Sequence, residues 1–180
     1  DRVHYGVVAT KFIPKGTITW VQDELDAEYT PQEIQKMQPL IQEMADKYCF
    51  INNKGNYILC WDDSKFVNHS FRSNCMSTAY DFEIAIRDIQ PGEQLTDDYG
   101  YLNISEPFEA ADEGTDRKIV HPDDLIHFHQ IWDAQIEDAM KTFGSVSQPL
   151  LKLVSTQNRS ELEKVIAGKQ KMKSILNCYF

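Results

Sequence analysis

The spacing of hydrophobic residues changes near residue 122, and the change divides this chain into two kinds of structure. Before that point the apolar residues occur in short runs separated by turn residues such as Pro14-Lys15-Gly16 and Pro91-Gly92. Short apolar runs with such punctuation predict β-strands. From Pro122 onward the apolar residues recur with the period of an amphipathic helix. The sequence therefore predicts a β-rich core followed by a helical C-terminal third.

Four β-rich runs can be assigned as strands. They are Val3–Ala9, Thr17–Val21, Tyr57–Trp61 and Phe82–Arg87. In the last of them apolar residues alternate with charged ones, which predicts one buried and one polar face. For the C-terminal third, the capping-box pair Ser160 and Glu163 predicts that a final helix starts at Ser160 and continues to Leu176.

A helical insert interrupts the β-rich part over about residues 30–48. Thr30 has the character of an N-cap, Pro31 suits the first helical position and Glu33 completes a capping box. Pro39 lies inside this segment, and proline cannot donate its backbone nitrogen to the helix. We therefore expect the insert to be broken or kinked at Pro39.

Composition limits the classes of partner and compartment. The 180 residues, 42% apolar and 26% charged, suit one domain with a modest appendage. A net charge of −10 argues against direct nucleic-acid binding and is compatible with a basic partner. The chain has no apolar run long enough for a membrane span, and its four cysteines match neither a zinc motif nor a disulfide framework. Without a secretion leader, we expect an intracellular protein of the cytoplasm, or of the nucleus in a eukaryote.

The histidines are ambiguous when they are considered singly. His69 suits a metal ligand, a catalytic base or part of a turn, and the neighbouring Ser70 lacks the glycines of a nucleophile elbow. His121, His127 and His129 suggest a metal cluster, but residues two apart on a helix point to different faces. A surface helix is the simpler interpretation of these three.

Two adjacent carboxylates, Asp97 and Asp98, precede Tyr99. Adjacent residues on a strand face opposite ways, so the two cannot share one acid–base site. Considered alone, they indicate a solvated strand end.

Taken together and in order, these residues form a recognisable pattern. The first motif is Tyr5-Gly6-Val7-Val8-Ala9 with Ile13-Pro14-Lys15-Gly16-Thr17, and the second is Phe66-Val67-Asn68-His69-Ser70 with Asn74. The third is Arg87-Asp88-Ile89, and it is followed by Pro91-Gly92-Glu93-Gln94-Leu95-Thr96-Asp97-Asp98-Tyr99-Gly100. Over roughly residues 3–104 the chain resembles the SET-domain protein lysine methyltransferases. The resemblance implies a mainly β fold with α-helices, in which small sheets surround a threaded segment called a pseudoknot. It divides the chain into a SET domain at 1–104, a degenerate loop at 105–120 and a helical extension at 121–180.

The resemblance also implies an activity. SET domains transfer a methyl group from S-adenosylmethionine to a lysine amine, here of a basic protein or peptide, and Tyr99 matches their catalytic tyrosine. An alternative is a catalytically inactive SET-like binding module, and a third is a purely structural interaction domain. Binding of S-adenosylmethionine without turnover would favour the module, and no binding would favour the structural domain.

Eight residues match the family's cofactor site. They are Tyr5, Gly6, Tyr48, Lys65, Asn68, His69, Tyr99 and Phe108. The resemblance implies that the cofactor approaches the bare backbone at Gly6 closely. It also implies that the backbone of His69 contacts the adenine and that the ring of Phe108 stacks on it. His4 departs from the pattern, because it stands where the family usually has its first glycine.

The lysine channel and the zinc site both differ from those of many relatives. Asp97 stands where they have an aromatic channel residue, and Tyr101 is a second channel candidate. Phe71 stands where they have the first of four zinc cysteines, and residues 108–117 contain none of the others. No metal is therefore expected. The helices after Pro122 either close the cofactor pocket in place of the zinc module or pack on the back of the domain.

Overall fold

The structure is a computed structural model that describes residues 5–180. Within that range the strands are β1 Ile18–Val21, β2 Ala27–Tyr29, β3 Cys49–Ile51, β4 Tyr57–Leu59, β5 Asn68–His69, β6 Cys75–Ser77, β7 Phe82–Ala85, β8 Thr96–Asp97, β9 Phe108–Glu109 and β10 Ile119–Val120. The α-helices are α1 Pro31–Gln35, α2 Pro39–Tyr48, α3 Asp124–Met140 and α4 Thr156–Ile166. Four 3-10 turns cover Asp63–Phe66, Tyr99–Tyr101, Phe143–Ser145 and Ile175–Cys178. No helix in this part of the chain is both long and apolar enough to cross a membrane.

The strands form several small sheets, which confirms the predicted mainly β fold with α-helices. Two antiparallel sheets have the orders β1-β7-β6 and β2-β4-β3, and β9 pairs with β10. The short strands β5 and β8 are parallel, with Asn68 opposite Thr96 and His69 opposite Asp97. This pairing brings the Asn-His motif alongside the segment that leads to Tyr99. The pseudoknot stays a prediction.

The helical insert follows its capping sequence closely. The backbone N–H of Thr30 donates to Glu33 Oε2 at 2.8 Å, and the Thr30 hydroxyl accepts from the Glu33 N–H at 3.3 Å. Pro39 does not kink a continuous helix but begins a new one, α2, at a first-turn position where its missing N–H costs nothing. The predicted break is confirmed, and α2 delivers Tyr48 to its C-terminal end.

Two of the elements predicted from the sequence, the first strand and the start of the final helix, were wrong. The described part of the predicted strand Val3–Ala9 makes only an isolated bridge, between Val8 and Gln94. The final helix starts at Thr156 rather than Ser160, because the hydroxyl of Ser155 caps it by accepting from the Asn158 N–H at 3.2 Å.

That final helix is also shorter than predicted. It ends at Ile166, shortly before Gly168, whose φ of +67° is a left-handed conformation that glycine adopts readily. Leu176, which we expected on the same helix, lies in the separate 3-10 turn Ile175–Cys178. The prediction of one continuous helix from Ser160 to Leu176 was therefore wrong.

The main hydrophobic core lies between α3 and the sheet that contains β7. From α3 it receives Leu125, Trp132, Ile136 and Ala139. From β7 it receives Phe82 and Ile84, which alternate along the strand. Glu83 lies between these two residues and points to the opposite face of the sheet, where the candidate site is found.

Candidate functional site

A cavity of about 340 Å³ lies between α2, the segment before β5 and the segment after β8. Its aromatic wall consists of Trp20, Tyr48, Phe50, Tyr57, Tyr99 and Phe108. Its ionisable lining includes the carboxyl groups of Glu83 and Asp97 and the amine of Lys65. We call this cavity the Tyr99 pocket. Aromatic faces and carboxylates both attract cations, so the lining favours a positively charged guest.

Tyr99 is fixed at both its backbone and its hydroxyl. Its Oη donates to the Val67 carbonyl at 2.6 Å, and its backbone N–H donates to His69 Nδ1 at 3.2 Å. Burial, with repulsion from the carboxylates of Asp97 and Glu83, raises the pKa of Tyr99 to about 12. The phenol is therefore neutral at physiological pH, and its oxygen lone pairs can accept a hydrogen bond inside the pocket.

Asp97 and Glu83 form a carboxyl pair on the same pocket. Asp97 is only 4% exposed, and its Oδ1 accepts from Tyr101 Oη at 3.0 Å. Burial raises the pKa of Asp97 to about 6, and burial followed by the charge of Asp97 raises the pKa of Glu83 well above its ordinary value. Because the charge of each carboxylate opposes ionisation of the other, the doubly ionised form of the pair is disfavoured.

The expectation of a solvated strand end at Asp97 and Asp98 was wrong, because these residues are 4% and 2% exposed. They do face opposite ways, as adjacent strand residues must, with Asp97 on the pocket and Asp98 toward Arg117. Sequence reasoning also missed Glu83. Its alternation with Phe82 and Ile84 marked it as polar-facing, but periodicity alone cannot tell a pocket from solvent.

Asn68 connects the N-terminal segment to the strand that precedes Tyr99. Its Nδ2 donates to the Tyr5 carbonyl at 2.8 Å and to Gln94 Oε1 at 3.0 Å. A Cβ on Gly6 would lie 2.6 Å from Gln94 Nε2 and 3.0 Å from Asn68 Nδ2, so a larger residue here would push these two side-chain amides aside. Gln94, which belongs to the motif Pro91–Gly100, is therefore a site residue whose role the sequence did not predict. His4 lies outside the described residues.

His69 is held as a neutral aromatic ring. Its centroid lies 4.5 Å from that of Phe71, 5.5 Å from that of Tyr99 and 5.6 Å from that of Phe108. Burial lowers the pKa of His69, and because Nδ1 accepts from Tyr99, the proton resides on Nε2. Nε2 is buried and has no partner among the described residues. An unsatisfied buried donor of this kind is available to a ligand acceptor.

The structure brings most of the sequence-predicted site residues together. Tyr48, Lys65, Asp97, Tyr99 and Phe108 line the Tyr99 pocket. Tyr5 is joined to its rim through Phe66, whose ring centroid lies 5.6 Å from that of Tyr5 and 5.9 Å from that of Tyr48.

Tyr101 is placed differently from the other channel candidate. It is fully buried behind Asp97, and its ring packs edge-on against Trp132 at 5.4 Å. It therefore fixes Asp97 from the side away from the pocket, instead of lining the pocket itself.

Phe71 belongs to a cluster around the guanidinium of Arg117, which we call the Arg117 cluster. Its members are Phe71, Asp98, Arg117, Asp124, Phe128 and Trp132. The guanidinium carbon lies 4.7 Å from the ring centroids of Phe71 and Phe128, and the group pairs with both carboxylates. A Cβ on Gly100 would lie 2.7 Å from Arg117 Nη2, so the glycine after Tyr99 makes room for this arginine.

Phe71, which by the sequence resemblance stands where many relatives have a zinc cysteine, is a member of this cluster. Among residues 5–180 there is no group of three His, Cys, Asp or Glu side chains that could hold a metal ion. The helix α3 contributes Asp124, Phe128 and Trp132 to the cluster, and it packs on the core instead of lining the Tyr99 pocket. The extension is thus attached beside Asp98, the residue that precedes Tyr99.

Comparison with known proteins supports one family. The family model described as the SET domain matches residues 4–100, which is more than half of the chain. A search of curated proteins gave no match. The matched range contains Asn68, His69, Asp97 and Tyr99, which meet in or beside the Tyr99 pocket. This chain belongs to the SET domain family.

Proposed function

We propose that this protein transfers a methyl group from S-adenosylmethionine to the side-chain amine of a lysine in a basic protein or peptide. The observation that carries the proposal is the position of Tyr99. Its fixed, neutral phenol lies in an aromatic pocket with a carboxyl pair, next to the segment paired with the Asn-His strand. Family membership supports the same activity, because SET domains generally are protein lysine methyltransferases.

The residues present fit S-adenosylmethionine. When bound, this cofactor supplies a methyl group carried on a positively charged sulfonium. The bare backbone at Gly6 offers close approach, and Nε2 of His69, which has no partner within residues 5–180, offers a donor. Tyr5, Asn68 and Phe108 would complete the binding site, the last as an aromatic surface for adenine.

The pocket residues have two tasks in this reaction. A lysine amine has a pKa of about 10.4, so making it neutral at pH 7 costs about 4–5 kcal/mol in water. Enclosure by the aromatic wall disfavours the charged form and lowers that cost. Tyr99 Oη, held by the Val67 carbonyl, can accept an N–H bond and so aim the nitrogen lone pair.

The net negative charge of the chain supports a basic substrate. The chain carries 28 acidic and 18 basic side chains, which disfavours nucleic acid and favours a cationic protein. Asp46 and Glu106, both exposed, lie at the edge of the Tyr99 pocket. They can attract the basic residues that flank a target lysine.

One observation favours the second candidate function, an inactive SET-like binding module. A carboxylate opposite an ammonium stabilises the charged form, and Asp97 stands where many relatives have an aromatic residue. A pocket built this way can recognise a lysine without turnover. Measurement of methyl transfer separates the two functions.

The first test is calorimetric titration of the chelator-treated protein with S-adenosylmethionine. Asn68→Ala is expected to weaken binding at least about tenfold, because it removes both bonds that position Tyr5 and Gln94. Asn53→Ala, an exposed amide that bonds only the Asn177 carbonyl, is the matched control and should bind like the wild type. Absence of binding at millimolar cofactor, with or without a basic peptide, would contradict the proposal.

Turnover is tested on a mixture of unmodified basic proteins by mass spectrometry. We expect an added mass of one methyl group on lysine with the wild type. Tyr99→Phe keeps the ring but loses the hydroxyl, and it should reduce the rate by at least about a hundredfold. Cofactor binding without any methylated product would favour the inactive module.

A further inference from the structure

The carboxyl pair is the feature of the Tyr99 pocket that the proposed function leaves unexplained. Glu83 extends from β7 and Asp97 from β8, and both line the cavity together with Tyr99. Tyr101 Oη contacts Asp97 Oδ1 at 3.0 Å and the Cys75 carbonyl at 3.1 Å from outside the pocket. The position of Asp97 is therefore fixed by a side chain that does not itself line the cavity.

The charges that surround the pair do not neutralise it. Asp97 and Asp62 both act on Glu83 as like charges, and Asp98 acts the same way on Asp97. Both carboxyl groups offer oxygen lone pairs to the cavity, and any ionised member of the pair adds a negative charge there. Asp46 and Glu106 also line the cavity, but both are exposed, so solvent screens their charges more than those of Glu83 and Asp97.

We propose that Glu83 and Asp97 make the Tyr99 pocket selective for a primary ammonium group over a methylated one. Aromatic faces attract any ammonium, including a quaternary one, so they do not discriminate between these groups. Carboxyl oxygens bind the N–H groups of the guest, and each added methyl removes one N–H donor and adds bulk. The substrate class is then an unmethylated lysine side chain, and the first methylation weakens the hold on the product. This inference rests on the proposed function for the identity of the guest.

The pair also provides a destination for the proton that the ammonium must lose. One N–H bond of the ammonium breaks, one O–H bond forms on an ionised carboxylate of the pair, and the amine and that carboxyl group are both left neutral. Neutral amine and neutral acid are easier to keep in a desolvated pocket than an ion pair is. Burial raises the pKa of Asp97 to about 6, which is close to the operating pH that suits a general base.

The test measures binding and does not depend on turnover. Wild-type protein is titrated, with protein NMR shifts as the readout, with n-butylammonium, n-butyltrimethylammonium and 1-butanol. We expect n-butylammonium to bind at least about tenfold more tightly than the other two, a factor that corresponds to about 1.4 kcal/mol. Equal or tighter binding of the quaternary ion would overturn the inference, whatever the variants do.

Variants then assign the selectivity to the pair. Asp97→Asn and Glu83→Gln keep the side-chain shape, and each should reduce n-butylammonium affinity about tenfold without weakening the quaternary ion as much. Glu137→Gln on the exposed side of α3 removes the same charge far from the pocket and should leave the affinity unchanged. Retained preference in both pocket variants, with folding verified by circular dichroism, would overturn the assignment.

The ammonium-binding test and the methyl-transfer test can fail independently of each other. Selective binding of the primary ammonium without methyl transfer to any basic substrate would support the inference about the pair while removing the enzymatic proposal. Methyl transfer without such selectivity would support the enzyme while overturning the inference.

Discussion

At the residue scale, Asp97 represents a conflict between stability and function. A carboxyl group in an enclosed pocket loses hydration, and burial raises its pKa from 3.8 to about 6. The folded state therefore binds the proton more tightly than the unfolded state does. Stability is lost as the pH rises from about 4 to about 6, and the full penalty, up to about 3 kcal/mol, remains at pH 7.

Asp97→Asn is accordingly expected to raise the thermal midpoint at pH 7, because a neutral amide avoids the cost of a buried charge. The gain should shrink toward pH 4, where the native carboxyl is already protonated. Thermal melts at both pH values measure this difference, with Glu137→Gln as the charge-matched surface control. A variant that is less stable than the wild type at pH 7 would contradict the burial argument.

At the element scale, the Arg117 cluster couples α3 to the 3-10 turn Tyr99–Tyr101. Arg117 pairs with Asp98 on one side and with Asp124, at the start of α3, on the other. Both carboxylates are almost fully buried, so their charges depend on this single guanidinium. The planar fork of arginine can serve two carboxylates and stack on aromatic rings at the same time, which lysine cannot do.

Arg117→Met should therefore lower the free energy of unfolding by about 3–5 kcal/mol, since it leaves two buried carboxylates without a cation. Arg117→Lys should lose less, because it keeps the charge. The neighbouring Lys118→Met breaks the exposed pair with Asp112 and should leave the free energy of unfolding nearly unchanged. Urea denaturation measures all three, and similar losses for Arg117→Met and Lys118→Met would exclude a structural role for the cluster.

At the level of elements, the sequence predicts structure that depends on neighbouring residues and fails for contacts between distant ones. Local chemistry predicted α1 from Thr30 and Glu33, because a capping box is complete within four residues. The pairing of Phe71 with Arg117 and of Glu83 with Asp97 depends on residues far apart in the chain, so no local pattern indicates it. The resemblance named Tyr48, Lys65 and Phe108, which line the Tyr99 pocket, but it gave no sign that Phe71 would pack against Arg117.

At the scale of the whole molecule, strand β3, the pocket wall and the C-terminal segment meet at Asn103. Its Nδ2 donates to the Ile51 carbonyl at 3.0 Å and to the Cys178 carbonyl at 2.7 Å. Its Oδ1 accepts from the Phe180 N–H at 3.1 Å. Asn103 also lines the Tyr99 pocket, so one amide connects three parts of the chain to the candidate site.

The backbone of Asn103 has a φ of +52°, a left-handed conformation that asparagine tolerates better than alanine does. Asn103→Ala should therefore lose about 2–4 kcal/mol of stability from three hydrogen bonds and added backbone strain. Asn103→Gly loses the same bonds without that strain, so it should recover about 1 kcal/mol of the loss. Asn53→Ala, which removes one exposed bond to the Asn177 carbonyl, is the control and should cost less than about 1 kcal/mol. Urea denaturation gives the order of stability. If Asn103→Ala matched Asn53→Ala, the three segments would be joined mainly by apolar packing and not through this amide.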